Sequence, residues 1–377
     1  MRYLDATEIK VKGPQRVNLI LAKTDAFFQD VKVLAVRVPA DYDQNLLDLP
    51  GTKLKSDRLT TNKTSGEIRY TLLQGKSALD IVLPKDETVR SLVLYPGDHA
   101  DGNVTVQIKA DSGYLDIKKA DFHRAAHVEN LAEGFEPGAP FLLSLPPYKG
   151  RDFRLVFQNE NNKAGELKNI VLSATPVVAN LTEKKLAKIT DASLPWENTS
   201  KELSDQAGLL QAGDVLDISR YLKADGRLKW NAPKGNWLIL RTGMRFIDVR
   251  NGPASFEAEG LEVDKMNKAD VKFHFNAFVG QILKRIPAAD RKSLKMVIMD
   301  SYERGGTNFT DDFLQDFQKR YGYDPTPYLP AYFGHIIGSR ENTDRFLWDV
   351  RRLVADKVAA NYVGGLREAS HENGLQT

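Results

Sequence analysis

No cysteine occurs among the 377 residues, which removes disulfides, thiolate zinc sites and cysteine nucleophiles from consideration. The compartment stays open, because many exported proteins also lack cysteine. No apolar run is long enough to span a bilayer, and the opening MRYLDATEIKVKGP lacks the apolar stretch of a secretory signal. Neither sign of charge prevails. Lys and Arg number 53 against 50 Asp and Glu, without blocks of like charge, so a nucleic-acid partner is a poor expectation. The six histidines show no metal-ligand spacing apart from His123 and His127, which read as surface residues. A Gly-rich phosphate loop, a serine elbow and a redox motif are all missing.

What is present falls into two textures. From Asp30 to about Val178, short apolar or alternating runs (VKVLAVRV, SALDIVL, RSLVLYP, NVTVQIKA, PFLLSL, FRLVF, IVLSATPV) are separated by Asp, Asn, Gly and Pro clusters. This spacing predicts an N-terminal β-sandwich of jelly-roll type over residues 1–180. Tyr95, Tyr114 and Tyr148 in this half are candidates for a sugar-binding surface, although tyrosines in strands more often serve packing. Residues 181–236 are polar and interrupted by Pro195, Gly208, Gly213 and Gly226, as in a connecting region with short strands of its own.

From Trp237 onward the period changes. WLILRTG is a buried strand pattern, and residues 267–286 repeat apolar side chains at Val271, Phe275, Phe278, Val279, Ile282 and Ile286, a helical spacing that Pro287 ends. LKMVIMD is a second strand pattern. Thr310 or Asn308 can cap a helix bearing Phe313, Phe317 and Tyr321 on one face, and a longer helix runs over about 342–371 with Phe346, Val350, Leu353, Val354 and Val358 buried. Apolar strands alternating with amphipathic helices predict a parallel sheet covered by helices, and too few strands are present for a complete barrel. The fold expected is therefore α+β and multidomain, with part of a (β/α)8 barrel over 237–377.

In parallel α/β folds, functional groups sit at the carboxyl ends of strands. Asp300 and Glu303 follow LKMVIM at that position, with Tyr302 between them and Asn308 before the next helix. Paired carboxylates suit glycosidic cleavage, one protonating the leaving oxygen and the other acting on water or carbon. Ordinary loop acids bonded to backbone amides would look the same at this level. The loop NGPASFEAEGLEVDKMN gathers Glu257, Glu259, Glu262 and Asp264 beside Lys265, a density that suits calcium but lacks EF-hand spacing.

These motifs, taken in order (GNWLILRTG, NGPASFEAEGLEVDKMNKADVKFHF, MDSYERGGTNFTDDFLQDFQKRYGYDPTPYLPAYFG, DRFLWDVRRLVADKVAANY), resemble glycoside hydrolase family 106, the α-L-rhamnosidases. The resemblance implies an inverting glycosidase with a (β/α)8 catalytic barrel beside a β-sandwich. It also implies two catalytic glutamates, a calcium ion that helps bind sugar, a rhamnose-containing plant-type polysaccharide or glycoside such as pectin as substrate, and export to the periplasm or outside. The family's DSWE-type element matches Asp300, Ser301, Tyr302 and Glu303, which makes Glu303 the general acid, with Tyr302 replacing Trp as the aromatic platform. Asp264 and Lys265 of the GLEVDK element, together with Asp300, Tyr302 and Asn308, are then substrate contacts, and Glu262 is the weak candidate metal ligand. The partner glutamate is expected beyond Gln376, so that the chain reads as a fragment inactive alone. The competing expectation is a non-catalytic carbohydrate-binding β module with an α/β scaffold.

Overall fold

The computed structural model describes residues 1–64, 67–97, 99–124, 139–161, 163–186, 196, 200–246, 250, 254–299 and 306–377. These form a mixed α/β structure with two antiparallel sheets and helices packed against them.

The first sheet has the order β1–β12–β2–β11, built from β1 (Arg2–Ile20), β2 (Gln29–Val38), β11 (Val215–Asp217) and β12 (Arg227–Phe246). β1 pairs with β12 over nearly its whole length, from Arg2 opposite Phe246 to Ile20 opposite Arg227. The run WLILRTG is the second half of β12 and lies antiparallel to both neighbours, β1 and β2. β1 has no strong sequence signal. Its apolar residues are thinned by Lys, Arg and Glu, because one face of the sheet is partly open to water.

The second sheet takes in β3 (Lys53–Asp57), β4 (Leu59–Thr64), β5 (Glu67–Leu72), β6 (Gly75–Pro96), β7 (Ala100–Ala110), β8 (Gly113–Arg124), β9 (Phe141–Asn159) and β10 (Gly165–Ser173). The order is β4–β5–β10–β6–β9–β7–β8, and β3 pairs with the outer part of β6. The runs SALDIVL and RSLVLYP are two halves of β6, and PFLLSL and FRLVF two halves of β9. Between them the register of the β6–β9 pair breaks at Val82/Glu87 and Val89/Ser91, so two sequence signals mark one irregular strand. Inward residues such as Leu79, Ile81, Val104, Val106, Phe153, Leu155 and Phe157 close into a single buried cluster, with polar residues alternating on the other face.

Among the described residues six α-helices follow or interrupt these strands: α1 (Leu181–Lys184), α2 (Ser200–Ser204), α3 (Lys268–Arg285), α4 (Phe313–Tyr321), α5 (Arg340–Lys357) and α6 (Gly364–Glu372). The long helix predicted at 342–371 is α5 and α6 joined through a π-turn at Val358–Val363. A second large core gathers Leu4, Leu34 and Val36 of the first sheet with Phe309, Phe313, Phe317, Tyr332, Phe346 and Val350, and reaches Val93 and Leu142 of the second sheet. The described parts therefore share buried contacts through one apolar cluster.

The α/β segment leaves apolar surface open. α3 buries Val271, Phe275 and Leu283, while Phe273 (75% exposed) and Phe278 (64%) face outward. Phe278 was expected in the buried stripe, but α3 packs against α6 and the π-turn, which cover a narrower face than the apolar spacing spans. LKMVIMD, read as a second buried strand, is not one: Met296 is 51% and Ile298 82% exposed, and among the described residues the run pairs only through the bridge of Met296 with Gln376. No helix among the described residues is long and apolar enough to cross a membrane.

One buried polar chain ties β1 to the helical layer. His335 Nε2 lies 2.9 Å from Glu8 Oε1 and its Nδ1 lies 2.9 Å from the Tyr42 hydroxyl. Burial disfavours the charged imidazole, but the charge of Glu8 and its hydrogen bond outweigh this, with Asp43 adding and Lys10 opposing, and the pKa of His335 is raised. A folded-state pKa above the unfolded value of about 6.5 contributes stability that is complete below that pH and is lost as pH rises through the folded value. Denaturation midpoints should therefore fall as pH is raised from about 6.5 to 9. A His335→Gln variant, less stable at low pH, should show a flatter profile over the same range. Parallel profiles for the two proteins would contradict this assignment.

Candidate active site

The described residues before and after positions 300–305 are each held by hydrogen bonds. Before them, the Val297 N–H donates to the Gln376 carbonyl (2.8 Å) and the Gln376 N–H donates to the Lys295 carbonyl (2.9 Å), so residues 295–297 and 375–377 run as a short parallel pair. After them, residues 306–311 are pinned to β1. Asp300, Tyr302 and Glu303 lie outside the described residues, as does His127, and the side chain of His123 is not described.

Asn308 is the principal anchor. It is fully buried; its Oδ1 accepts the Leu4 N–H (2.8 Å), its Nδ2 donates to the Lys185 carbonyl (2.7 Å), and its own N–H donates to the Arg2 carbonyl (3.3 Å). The Thr307 hydroxyl donates to the same Arg2 carbonyl at 2.8 Å. A planar amide with both a donor and an acceptor can bridge two backbone groups that secondary structure leaves unpaired, which suits a buried loop.

Asp264 faces this anchor from the other loop. Its Oδ1 accepts the Met266 N–H (3.0 Å), and its Oδ2 accepts from Arg2 Nη2 (3.0 Å), Arg2 Nε (3.3 Å) and the Thr310 hydroxyl (2.8 Å). The Asn267 side chain then caps α3 by accepting the Ala269 and Asp270 N–H groups, and Asn361 holds the Met266 carbonyl at 2.7 Å. These local bonds explain why the chain turns sharply between Glu262 and Asn267. Lys265 is buried, with Nζ 3.2 Å from Glu262 Oε2 and 5.2 Å from the centre of the Tyr362 ring. Burial and the nearby Glu262 charge push the Tyr362 hydroxyl pKa up.

The described structure thus brings Asp264, Lys265, Glu262 and Asn308 together around Arg2. Asp264 and Asn308 are at the same time framework residues, since their polar atoms already hold protein groups. Three participants escaped sequence reasoning: Arg2, Asp311 and the Thr310 hydroxyl. Arg2 reaches Asp311 with Nη1 at 2.9 Å and Nη2 at 2.7 Å, and these hydrogen bonds hold the Asp311 carboxyl below its ordinary pKa. The partners of Arg2 lie 262 and 309 residues away, so no spacing in the sequence signals them. Thr310 was expected as a helix cap. Its hydroxyl instead donates to the buried Asp264 carboxylate, the stronger acceptor, and Asp312 occupies the cap position of α4 without a side-chain bond.

Among the described residues no three acidic or histidine side chains converge to hold a metal ion. Glu262, the candidate ligand, is paired with Lys265. The calcium implied by the resemblance gains no ligand set from the described residues.

Removing Arg2 would strand a buried carboxylate with only Thr310 and one backbone amide. Arg2→Met should cost about 3 kcal/mol of stability, the scale for breaking a buried ion pair, when measured by chemical denaturation. Asp264→Asn in the same background should cost little more, because the two residues act as a unit. Additive losses would show that the pair is not coupled.

Comparison with known proteins agrees with this architecture. A chain from a solved structure, a rhamnosidase from Novosphingobium sp. PP1Y, superposes with a TM-score of 0.76 at 24% identity, covering 99% of the present chain and 36% of its own. That likeness establishes the fold. A Formosa agariphila protein named "Putative beta-glucuronidase" is 36% identical over 168 residues, which is 45% of the present chain and 14% of that protein. The chain therefore spans about a third of the first of these relatives and a seventh of the second. A family model described as alpha-L-rhamnosidase matches residues 7–377, and the chain belongs to that family, glycoside hydrolase family 106.

Proposed function

We propose that the protein is an inverting α-L-rhamnosidase in which Glu303 is the general acid. The observation that carries this reading is the family match, which runs over residues 7–377 and so includes the Asp300–Glu303 element. The parallel pairing of residues 295–297 with 375–377 supports it, since the chain passes directly from that strand into residues 300–305. In parallel α/β enzymes the reacting groups stand at that end of a strand.

In this reading the parallel pair belongs to a (β/α)8 catalytic barrel that begins after β12, which lies antiparallel between β1 and β2, and the eight-stranded sheet is a β-sandwich within residues 1–180. Glu303 in its protonated form gives its proton to the glycosidic oxygen as the bond from that oxygen to the anomeric carbon breaks. A second carboxylate takes a proton from water, whose oxygen bonds to the anomeric carbon from the opposite face. Inversion places the two carboxyl groups roughly 6.5–9.5 Å apart, with the water between them. Asp264 is poorly suited to that second role, because Arg2, Thr310 and the Met266 amide already occupy it. It serves with Asn308 as framework, while Lys265, Tyr302 and Asp300 contact the rhamnose. The substrate is a terminal L-rhamnose on a plant-type polysaccharide or glycoside.

The test is Glu303→Gln, which keeps size and hydrogen-bonding capacity while removing the transferable proton. Rhamnose release from an unactivated glycoside should fall by about 10² to 10⁴-fold, with binding of rhamnose itself little changed. A loss below about tenfold would remove Glu303 from the role of acid.

A further inference from the structure

The outward face of the second sheet carries a polar trough that the chemistry above does not use. Its volume is about 640 Å³, within the range of small-ligand sites. The strand registers arrange its lining in rows across neighbouring strands. Lys76, Gln158 and Asn103 stand opposite one another on β6, β9 and β7, and the next row is Ala78, Val156, Thr105 and then Lys119 on β8. The third row is Asp80, Arg154, Gln107 and Asp116. The intervening residues, among them Leu79, Val104, Val106, Leu155 and Phe157, point into the core, so these rows cannot turn inward.

A solvent face of an antiparallel sheet is polar by default, and polarity alone would mean nothing here. Three features set this face apart. It is concave, as its volume records. Its third row is preassembled: Arg154 is paired with Asp80 through two hydrogen bonds, its guanidinium lies 4.0 Å from the centre of the Tyr114 ring, and Gln107 donates to Asp116 at 2.6 Å. Lys76, Asn103, Lys119 and Gln158, by contrast, make no side-chain hydrogen bond or ion pair among the described residues, which leaves their donors and acceptors available.

We infer that this trough is a second carbohydrate-binding site, which holds a length of glycan chain away from the Asp264–Asn308 region. Planar amides and carboxylates that donate and accept side by side match the adjacent hydroxyls of a sugar ring. An already fixed guanidinium loses little freedom on binding. With Arg154 paired to Asp80, Lys76 and Lys119 face Asp57, Asp116 and Glu160, so the trough carries no excess of positive charge: the ligand is a polyhydroxylated chain without a requirement for charge, and a polyanion such as nucleic acid gains no field. The glycan class rests on the glycosidase reading above; the existence of the site does not.

The experiment is affinity electrophoresis in native gels cast with a neutral rhamnose-containing polysaccharide, with a rhamnose–galacturonate polysaccharide in parallel gels. The protein should be retarded by the neutral polymer, and retardation should change less than twofold between low and moderate salt. The combined Asn103→Ala and Gln158→Ala substitutions should weaken retention at least tenfold. Thr105→Trp, which fills the middle row from the solvent side, should do the same. Rhamnose release from a small aryl rhamnoside should be unchanged in both variants. Normal release without any retardation, or retention unchanged in both variants, would overturn the trough alone. Retention without release would sink the catalytic reading alone. Retention only by the galacturonate polymer, and only at low salt, would replace the proposed site with nonspecific charge attraction.

Discussion

The pairing of β1 with β12 is the constraint on which the other features depend. It joins the first twenty residues to a strand more than two hundred residues later and sets Arg2 at the end of the first sheet, opposite Phe246. From that position the guanidinium meets Asp264 and Asp311, and the Arg2 carbonyl meets Thr307 and Asn308. Loss of register by one residue would turn Arg2 to the other face and leave the buried Asp264 without its charge partner. One strand pairing thus fixes two loops whose contacting residues, Asp264 and Thr310, are 46 residues apart in sequence.

This arrangement gives the candidate site a rigid rim and explains its composition. Asp264, Asn308 and Thr310 form the support, held by bonds to backbone and to Arg2, and Lys265 lies buried between Glu262 and the Tyr362 ring. The parallel pair at 295–297 and the Asn308 anchor hold the described residues on either side of positions 300–305. Behind the rim, the aromatic cluster of Phe309, Phe313, Phe317, Tyr332 and Phe346 fills the space between the first sheet and α4 and α5 with side chains that have few rotamers to lose.

Much of this was legible in the sequence, for identifiable reasons. The helices α3, α4 and α5 were recovered because their buried residues recur at helical spacing; the caps Asn267 and Ser339 became apparent only in the structure. β6, β7, β9 and β10 of the second sheet were recovered because each has a well-covered face, whereas β3, exposed along its whole length, gave no signal. β1 was missed, since its alternation is diluted by charge. WLILRTG was read as a strand but with a parallel partner, because a run buried on both faces looks alike in either kind of sheet. Of the site, Asp264, Lys265 and Asn308 were visible through motif order. Arg2 was not, because a contact across hundreds of residues leaves no local trace, and the framework duty of Asn308 is visible only once Leu4 and Lys185 are seen beside it. The exposed Phe273 and Phe278 make the complementary point: periodicity records which residues are apolar, and coverage depends on what packs there.

The measurement that bears most directly on the central claim is the anomeric configuration of the sugar at the moment of release. An α-L-rhamnoside should be hydrolysed in the presence of the protein while proton NMR follows the anomeric signals before mutarotation equilibrates them. The account predicts that β-L-rhamnose forms first and the α anomer only later. Initial release of α-L-rhamnose would require a covalent intermediate and carboxyl groups about 5 Å apart, and it would contradict the inverting mechanism assigned to Glu303 and its partner.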